Sequence, residues 1–214
     1  MITVTAYKWV PPFAQGLVRD IRVRWALEEA GLAYQERLIG LDERSSAEHR
    51  ARQPFGQVPV YEEEGLVLFE SGAIVLHIGA RSEALLPADP AGRARATTWV
   101  LAALNSIEVV TQQLAEIDLF AADQEWAKGR RPGLLERVEQ RLADLATRLG
   151  DRAYLDDRFT AGDLVMTTVL RGLRHSDILD RTPNLKAYKE RCEARPAFQK
   201  ALAAQMAVFA RHAS

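Results

Sequence analysis

The sequence changes character once, and that change constrains the fold more than any other feature. From residue 90 onward no segment carries a strand signal of comparable strength, and apolar residues recur at helical spacing. Leu134, Leu135, Val138, Leu142, Leu145 and Leu149 line one helical face. Similar stripes run from Thr160 to Leu173 and from Pro196 to Arg211, with Pro183 and Pro196 near helix starts. Upstream, element types alternate. Ile2 to Tyr7 alternates apolar and polar residues and reads as a strand. A loop with Pro11, Pro12 and Gly16 follows, and then a helix with Val23, Ala26, Leu27 and Ala30 on one face and Gly31 as its C-terminal cap. Tyr34 to Ile39, Val58 to Glu62 and Leu66 to Phe69 read as further strands, the last two joined through Glu63-Glu64-Gly65. A helix through Ile74, Val75 and Ile78 ends this part, with Ser71 as its expected cap. The order is β-α-β-(α)-β-β-α. Leu85-Leu86-Pro87-Ala88-Asp89-Pro90 reads as a linker. The expected fold is therefore α/β plus all-α, with an α/β domain over 1–82 and an all-helical domain over 90–214.

Charge and cysteine usage exclude several classes. With 28 Lys+Arg against 29 Asp+Glu the net charge is -1, which argues against a dedicated nucleic-acid binder. The single cysteine, Cys192, rules out an intramolecular disulfide framework and any zinc site needing two thiolates from this chain. The four histidines show no metal-ligand spacing, so no metal is expected. No window is apolar enough for a membrane span, and no signal peptide is apparent at the start. A cytoplasmic location is the expectation.

Three short stretches bear on chemistry. In Gln53-Pro54-Phe55-Gly56-Gln57-Val58-Pro59-Val60, a cis Val58–Pro59 bond would expose the main-chain N–H and C=O of Val58 to an extended peptide ligand; otherwise Pro59 simply ends a loop. In Phe69-Glu70-Ser71-Gly72, the helix N-terminus at Ser71 favours a carboxylate and Glu70 offers a counter-charge to an ammonium, together a clamp for an α-amino-acid head group. The alternative is a capping Ser71 beside a solvated Glu70. In Thr160-Ala161-Gly162-Asp163, Thr160 and Asp163 read as a capping box that starts a buried helix.

The ordered set of Gln57-Val58-Pro59, Glu70-Ser71, a linker, an all-α region and Thr160-x-x-Asp163 resembles the cytosolic glutathione transferase family over essentially the whole chain. The resemblance implies a thioredoxin-like N-terminal domain, an all-helical C-terminal domain, and a homodimer with glutathione bound along the domain interface as co-substrate. Carried over by position, Val58 pairs with the cysteinyl part of glutathione and Pro59 is the cis-proline. Glu70 and Ser71 hold the γ-glutamyl group. Gln57, with Arg50, Arg52 or Gln53, lies toward the glycyl carboxylate.

The thiol activator is less plainly written. The usual Ser or Cys position falls near Val18, and no Ser or Cys occurs between Lys8 and Gly31, which disfavours serine-type and cysteine-type mechanisms. Tyr7, at the end of the first strand, is the tyrosine-type candidate; Arg19, Gln15 or main-chain N–H groups at the first helix N-terminus are the others. Trp9, Val10 and Phe13, with Trp99, Asn105 and Val109 on the first long helix after the linker, either line the pocket for a small hydrophobic electrophile or pack on the domain interface. The expected function is attack by the glutathione thiolate on that electrophile. The alternatives are glutathione-dependent disulfide or peroxide reduction, and a non-catalytic glutathione-binding protein.

Overall fold

The fold is described from a computed structural model, over residues 1–213. Contacts divide it into two compact units, one formed by Met1–Ala88 with the described residues from Ala194 onward, the other by Asp89–Glu193.

In the first unit four strands, β1 (Ile2–Tyr7), β2 (Tyr34–Ile39), β3 (Val60–Glu63) and β4 (Leu66–Leu68), form one sheet in the order β2-β1-β3-β4. β1 and β2 run parallel, while β1–β3 and β3–β4 are antiparallel. Helix α1 (Asp20–Ala30) supplies the crossover that a parallel pair needs. The short α2 (Ala47–Arg50) and α3 (Ser71–Gly79) complete the β-α-β-α-β-β-α order, a thioredoxin-like arrangement. Gly31 caps α1 in the left-handed conformation at φ 67°, where a side chain would be strained.

α1 is buried without a break from Asp20 to Leu27. A helix buried all round must be covered on more than one face. α3 covers one side, and the last helix, α9 (Pro196–Arg211), covers another. α9 docks through an edge-to-face pair of Trp25 and Phe198, with ring centroids 4.8 Å apart, and through a bidentate Arg195–Glu29 ion pair. The sequence pattern assigns this helix to the helical region over 90–214; by its contacts it joins the first unit.

The second unit contains α4 (Pro90–Ala102), a π-helical segment (Ala103–Glu108), α5 (Val109–Phe120), α6 (Glu125–Leu149), α7 (Ala161–Arg171) and α8 (Pro183–Glu193). No strand occurs in it. The expected long helix after the linker is thus interrupted by six π-helical residues. α6 begins nine residues before the Leu134 stripe and runs through Pro132, whose missing N–H breaks one intrahelical bond. α7 is the core: every residue from Ala161 to Leu170 is buried.

The capping box forms as expected. Asp163 Oδ2 accepts from the Thr160 main-chain N–H at 2.9 Å, and Thr160 Oγ1 accepts from Gly162 N–H at 3.2 Å. Asp163 does more than the box requires. Its Oδ1 accepts from Leu155 N–H and from the Tyr188 hydroxyl, each at 2.9 Å, so one carboxylate joins α7, α8 and the loop before α7. Burial pushes the Tyr188 phenol well up, and the neighbouring Asp163 carboxylate adds to that shift.

Candidate functional site

The segment between α2 and β3 is shaped by its neighbours. Gln53 is buried; its Oε1 accepts from Phe55 N–H at 2.6 Å and its carbonyl from Gly56 N–H at 3.0 Å. Gly56 has φ 64°, and a Cβ there would lie 2.8 Å from the Arg44 carbonyl oxygen, so only glycine fits this turn. The Gln57 carbonyl then accepts from buried His49 Nε2 at 2.8 Å. A carbonyl cannot donate, so Nε2 carries the proton. Arg52 is engaged by Glu48 and Glu62, whereas Arg50 donates to the Pro54 carbonyl beside the Gly56 turn.

This turn delivers Val58 and Pro59 to the start of β3. The Val58–Pro59 bond is cis. The ladder begins at Val60, two residues later than the sequence suggests, because Val58 and Pro59 precede the pairing with β1. The Val58 N–H and C=O have no main-chain hydrogen-bond partner among the described residues. The β3–β4 register pairs Tyr61 with Leu68 and Glu62 with Val67. Continued past the strand ends, that register sets Val58 level with Ser71 and Pro59 level with Glu70.

At that place α3 begins, in a way the sequence did not foresee. Glu70, not Ser71, is the N-cap residue, and it sits at φ 67°, ψ 108°. A non-glycine residue at positive φ costs of order 1–3 kcal/mol and is characteristic of ligand sites. The Glu70 carboxylate is exposed and has no partner among the described residues. Ser71 is the first helical residue and does not cap; its buried hydroxyl accepts from Arg22 Nη1 at 3.1 Å. The first intrahelical bond is Ile74 N–H to the Glu70 carbonyl. The N–H groups of Ser71, Gly72 and Ala73 therefore lack intrahelical acceptors, and the helix dipole favours an anion beside them.

The activator candidates lie on β1 and the loop after it. Tyr7 ends β1 opposite Ile39. Burial raises its phenol, and the Arg44 guanidinium beside it opposes that shift, so at neutral pH the hydroxyl keeps its proton and can donate it. Residues Pro12–Ala14 form a 3₁₀ turn, and Gln15 Nε2 donates to the Val10 carbonyl at 3.1 Å, closing the loop on itself. Arg19 is the N-cap residue of α1 and makes no side-chain capping bond. Val10 is buried, Trp9 is half-buried and Phe13 is exposed. In the second unit, Trp99 is half-buried, packs on Gly162 of α7, and carries the Arg148 guanidinium 5.7 Å from its ring centroid. Asn105 and Val109 are exposed within that unit.

Sequence reasoning missed Arg22 and His49. Arg22 had no clear local signal, since five of the eleven residues of α1 are charged. His49 had none, since nothing local announces that its ring reaches the Gln57 carbonyl. Among the described residues, no group of three or more His, Cys, Asp or Glu is arranged to hold a metal ion, and no helix is long and apolar enough to cross a membrane.

The first unit is thus thioredoxin-like, with an open strand-end backbone beside a helix N-terminus, and a helical unit follows it in the chain. Two family models match the chain: the glutathione S-transferase N-terminal domain over residues 3–80 and the C-terminal domain over residues 111–205. Glutathione S-transferase 1 of Zea mays is 31% identical over 85% of this chain and 90% of its own length. A maleylacetoacetate isomerase of Rhizobium meliloti is 32% identical over 84% of this chain and 89% of its own. A crystal structure of a glutathione transferase from Burkholderia graminis, with two glutathione molecules bound per subunit, matches with a TM-score of 0.82. It covers 94% of this chain and 87% of that one at 24% identity, a likeness of fold. The chain belongs to the glutathione S-transferase family, and it is a transferase-type enzyme of glutathione transferase-like function.

Proposed function

We propose that the first unit binds glutathione through Val58, Glu70 and Ser71 and presents its thiolate to a small hydrophobic electrophile. The observation that carries this reading is the pairing of an unpartnered Val58 main chain with an unpartnered Glu70 carboxylate and a free α3 N-terminus at the same level of the sheet. Val58 N–H and C=O pair with the cysteinyl residue as an added strand would. The γ-glutamyl carboxylate takes the Ser71 hydroxyl and the α3 N–H groups, and the ammonium takes Glu70. Gln57 and Arg50 lie toward the glycyl carboxylate. Pro59 shapes the turn that presents Val58.

A free thiol of pKa about 8.5 is only a few per cent ionised at neutral pH, and lowering it by about two units requires ~2.7 kcal/mol of preferential thiolate stabilisation. A donated Tyr7 hydroxyl bond, Arg19, Gln15 and the α1 N-terminus are the candidate groups for this stabilisation. The thiolate attacks the electrophilic carbon, a C–S bond forms, and the leaving group departs with the bonding pair. Trp9 and Phe13 form the apolar cover in this unit.

Turnover of a chloronitroaromatic, set against reduction of a small mixed disulfide, tests conjugation directly; faster disulfide reduction would assign the enzyme to reduction instead. Tyr7→Phe is expected to lower turnover about tenfold at neutral pH, the equivalent of ~1.4 kcal/mol. An unchanged rate removes Tyr7 from the mechanism and leaves the α1 N-terminus with Arg19 and Gln15.

The enzyme is a homodimer in this reading. Phe55 is 64% exposed and stacks edge-to-face on Phe69 at 6.1 Å, beside exposed Leu66 and Val67 on the edge strand β4. Such a cluster on an open sheet edge invites a self-complementary partner. Phe55→Asp is expected to shift the light-scattering mass from two chains to one; a variant that stays dimeric excludes this face. A cytoplasmic location goes with the single buried Cys192 thiol.

A further inference from the structure

Gln205 on α9 is an amide buried to 1% exposure, and both acceptors of its Nε2 lie at the start of α1. One is the Val18 carbonyl oxygen at 3.2 Å; the other is Asp20 Oδ1 at 2.7 Å. An amide nitrogen has two hydrogens, and these two acceptors account for both. The Val18 carbonyl also accepts from Ile21 N–H at 3.0 Å, so both of its lone pairs are used. Asp20 Oδ2 accepts from Arg24 Nε at 2.6 Å, and Arg24 reaches on to Glu36 of β2. The carboxylate in the first turn of α1 is thus held from two directions.

This anchoring stands in for a cap. The N-cap residue Arg19 sits in the helical region at φ -64°, ψ -13° and gives no capping bond. Locally the turn is held by the main-chain bonds of Ile21 N–H to the Val18 carbonyl and of Arg22 N–H to the Arg19 carbonyl, and the Arg19 side chain adds no cap. A further hold comes from a residue more than 180 positions further along the chain. It acts on the stretch Val18–Asp20, at the N-terminal end of the helix whose N–H groups and dipole face the sulfur in the proposed function.

We propose that Gln205 is a positioning residue for thiol activation: by holding the Val18 carbonyl and the Asp20 carboxylate, it fixes the first turn of α1 in the orientation that stabilises the thiolate. The inference rests on the proposed function and adds to it a role for the last helix. Preorganised N–H groups stabilise an anion only when their orientation is set before it forms. Asp20 makes the constraint sharper, because an unpaired carboxylate in the same turn would oppose a thiolate. The Gln205 amide and the Arg24 guanidinium offset that charge.

Two variants test this. Gln205→Met keeps the length and the apolar contacts but removes both donors. Gln205→Asn keeps the donors but draws them back by one methylene, so that one acceptor at most is reached. Wild type and variants are compared in three measurements: the ultraviolet thiolate absorbance of bound glutathione against pH, the affinity for S-methylglutathione, and the melting temperature. In Gln205→Met the bound thiol pKa is expected to rise by about one unit, a tenfold loss of thiolate at low pH. Gln205→Asn is expected to give a smaller rise in the same direction. S-methylglutathione, which has no thiol to ionise, should bind each variant within about twofold of wild type, and turnover should recover at high pH. A purely structural role would lower the melting temperature and leave the thiol titration in place; that outcome overturns the proposal. If Gln205→Met does not fold, an unmoved thiol titration in Gln205→Asn overturns it equally. Failure of the wild type to bind either peptide is a different result: it overturns the glutathione-site reading, and this inference with it.

Discussion

Replacing Asp163 by alanine is expected to lower stability by about 3–4 kcal/mol, because the Leu155 N–H, the Thr160 N–H and hydroxyl, and the Tyr188 hydroxyl lose their shared acceptor inside the core. An unsatisfied buried donor costs about 1–3 kcal/mol. The sum is moderated, since an isolated buried carboxylate is itself unfavourable and burial already pushes the Asp163 carboxyl up. For a chain of this size each kcal/mol moves the melting temperature by about 2–4 °C, so a fall of about 10 °C follows. Asp163→Asn keeps an acceptor oxygen and should lose about half as much, whereas Tyr188→Phe removes a single donor and should cost about 1 kcal/mol. Thermal and urea unfolding check the series. A melting temperature for Asp163→Ala close to that of the wild type would show that the network does not hold α7, α8 and the preceding loop together.

The second large effect is on ligand affinity. Ser71→Ala and Glu70→Gln are each expected to weaken glutathione binding about ten- to a hundredfold, since a hydrogen bond to a charged group contributes about 1.5–3 kcal/mol. Ser71 caps nothing here, but its hydroxyl is the acceptor of the buried Arg22 guanidinium, so Ser71→Ala should also cost about 1 kcal/mol of stability. A purely structural role for Ser71 predicts the same loss of stability with affinity intact. Isothermal titration and a melting curve on the same preparation separate the two.

Much of this is legible in the sequence. β1, β2, the Gly31 cap and the Thr160–Asp163 box follow from alternation, spacing and residue type alone, because each depends on neighbours within a few residues. The elements that were misplaced depend on distant chain. The helix α6 starts at Glu125, although Gly129, Pro132 and Gly133 are breakers, because burial of Ala127 and Leu134 outweighs poor local propensity. The π segment Ala103–Glu108 leaves no local mark, since its apolar residues fit an ordinary helix equally well. Residue type makes Ser71 the expected cap; its hydroxyl is instead engaged by Arg22, 49 residues earlier in the chain. The placing of α9 against α1 was beyond reach for the same reason. Its stripe of Phe198, Ala201, Gln205, Val208 and Phe209 says that one face is covered, not by what. Of the candidate site, the sequence supplied Val58, Pro59, Glu70 and Ser71, while the supports Arg22, His49 and Gln205 came only with the fold.

The most direct test of the whole account is calorimetric titration of the wild-type chain and of Glu70→Gln with reduced glutathione. The account predicts saturable binding at one site per chain with a Kd well below about 1 mM, and a loss of at least about tenfold in the variant. No saturable heat for the wild type at millimolar glutathione, or equal affinity in both proteins, would contradict it.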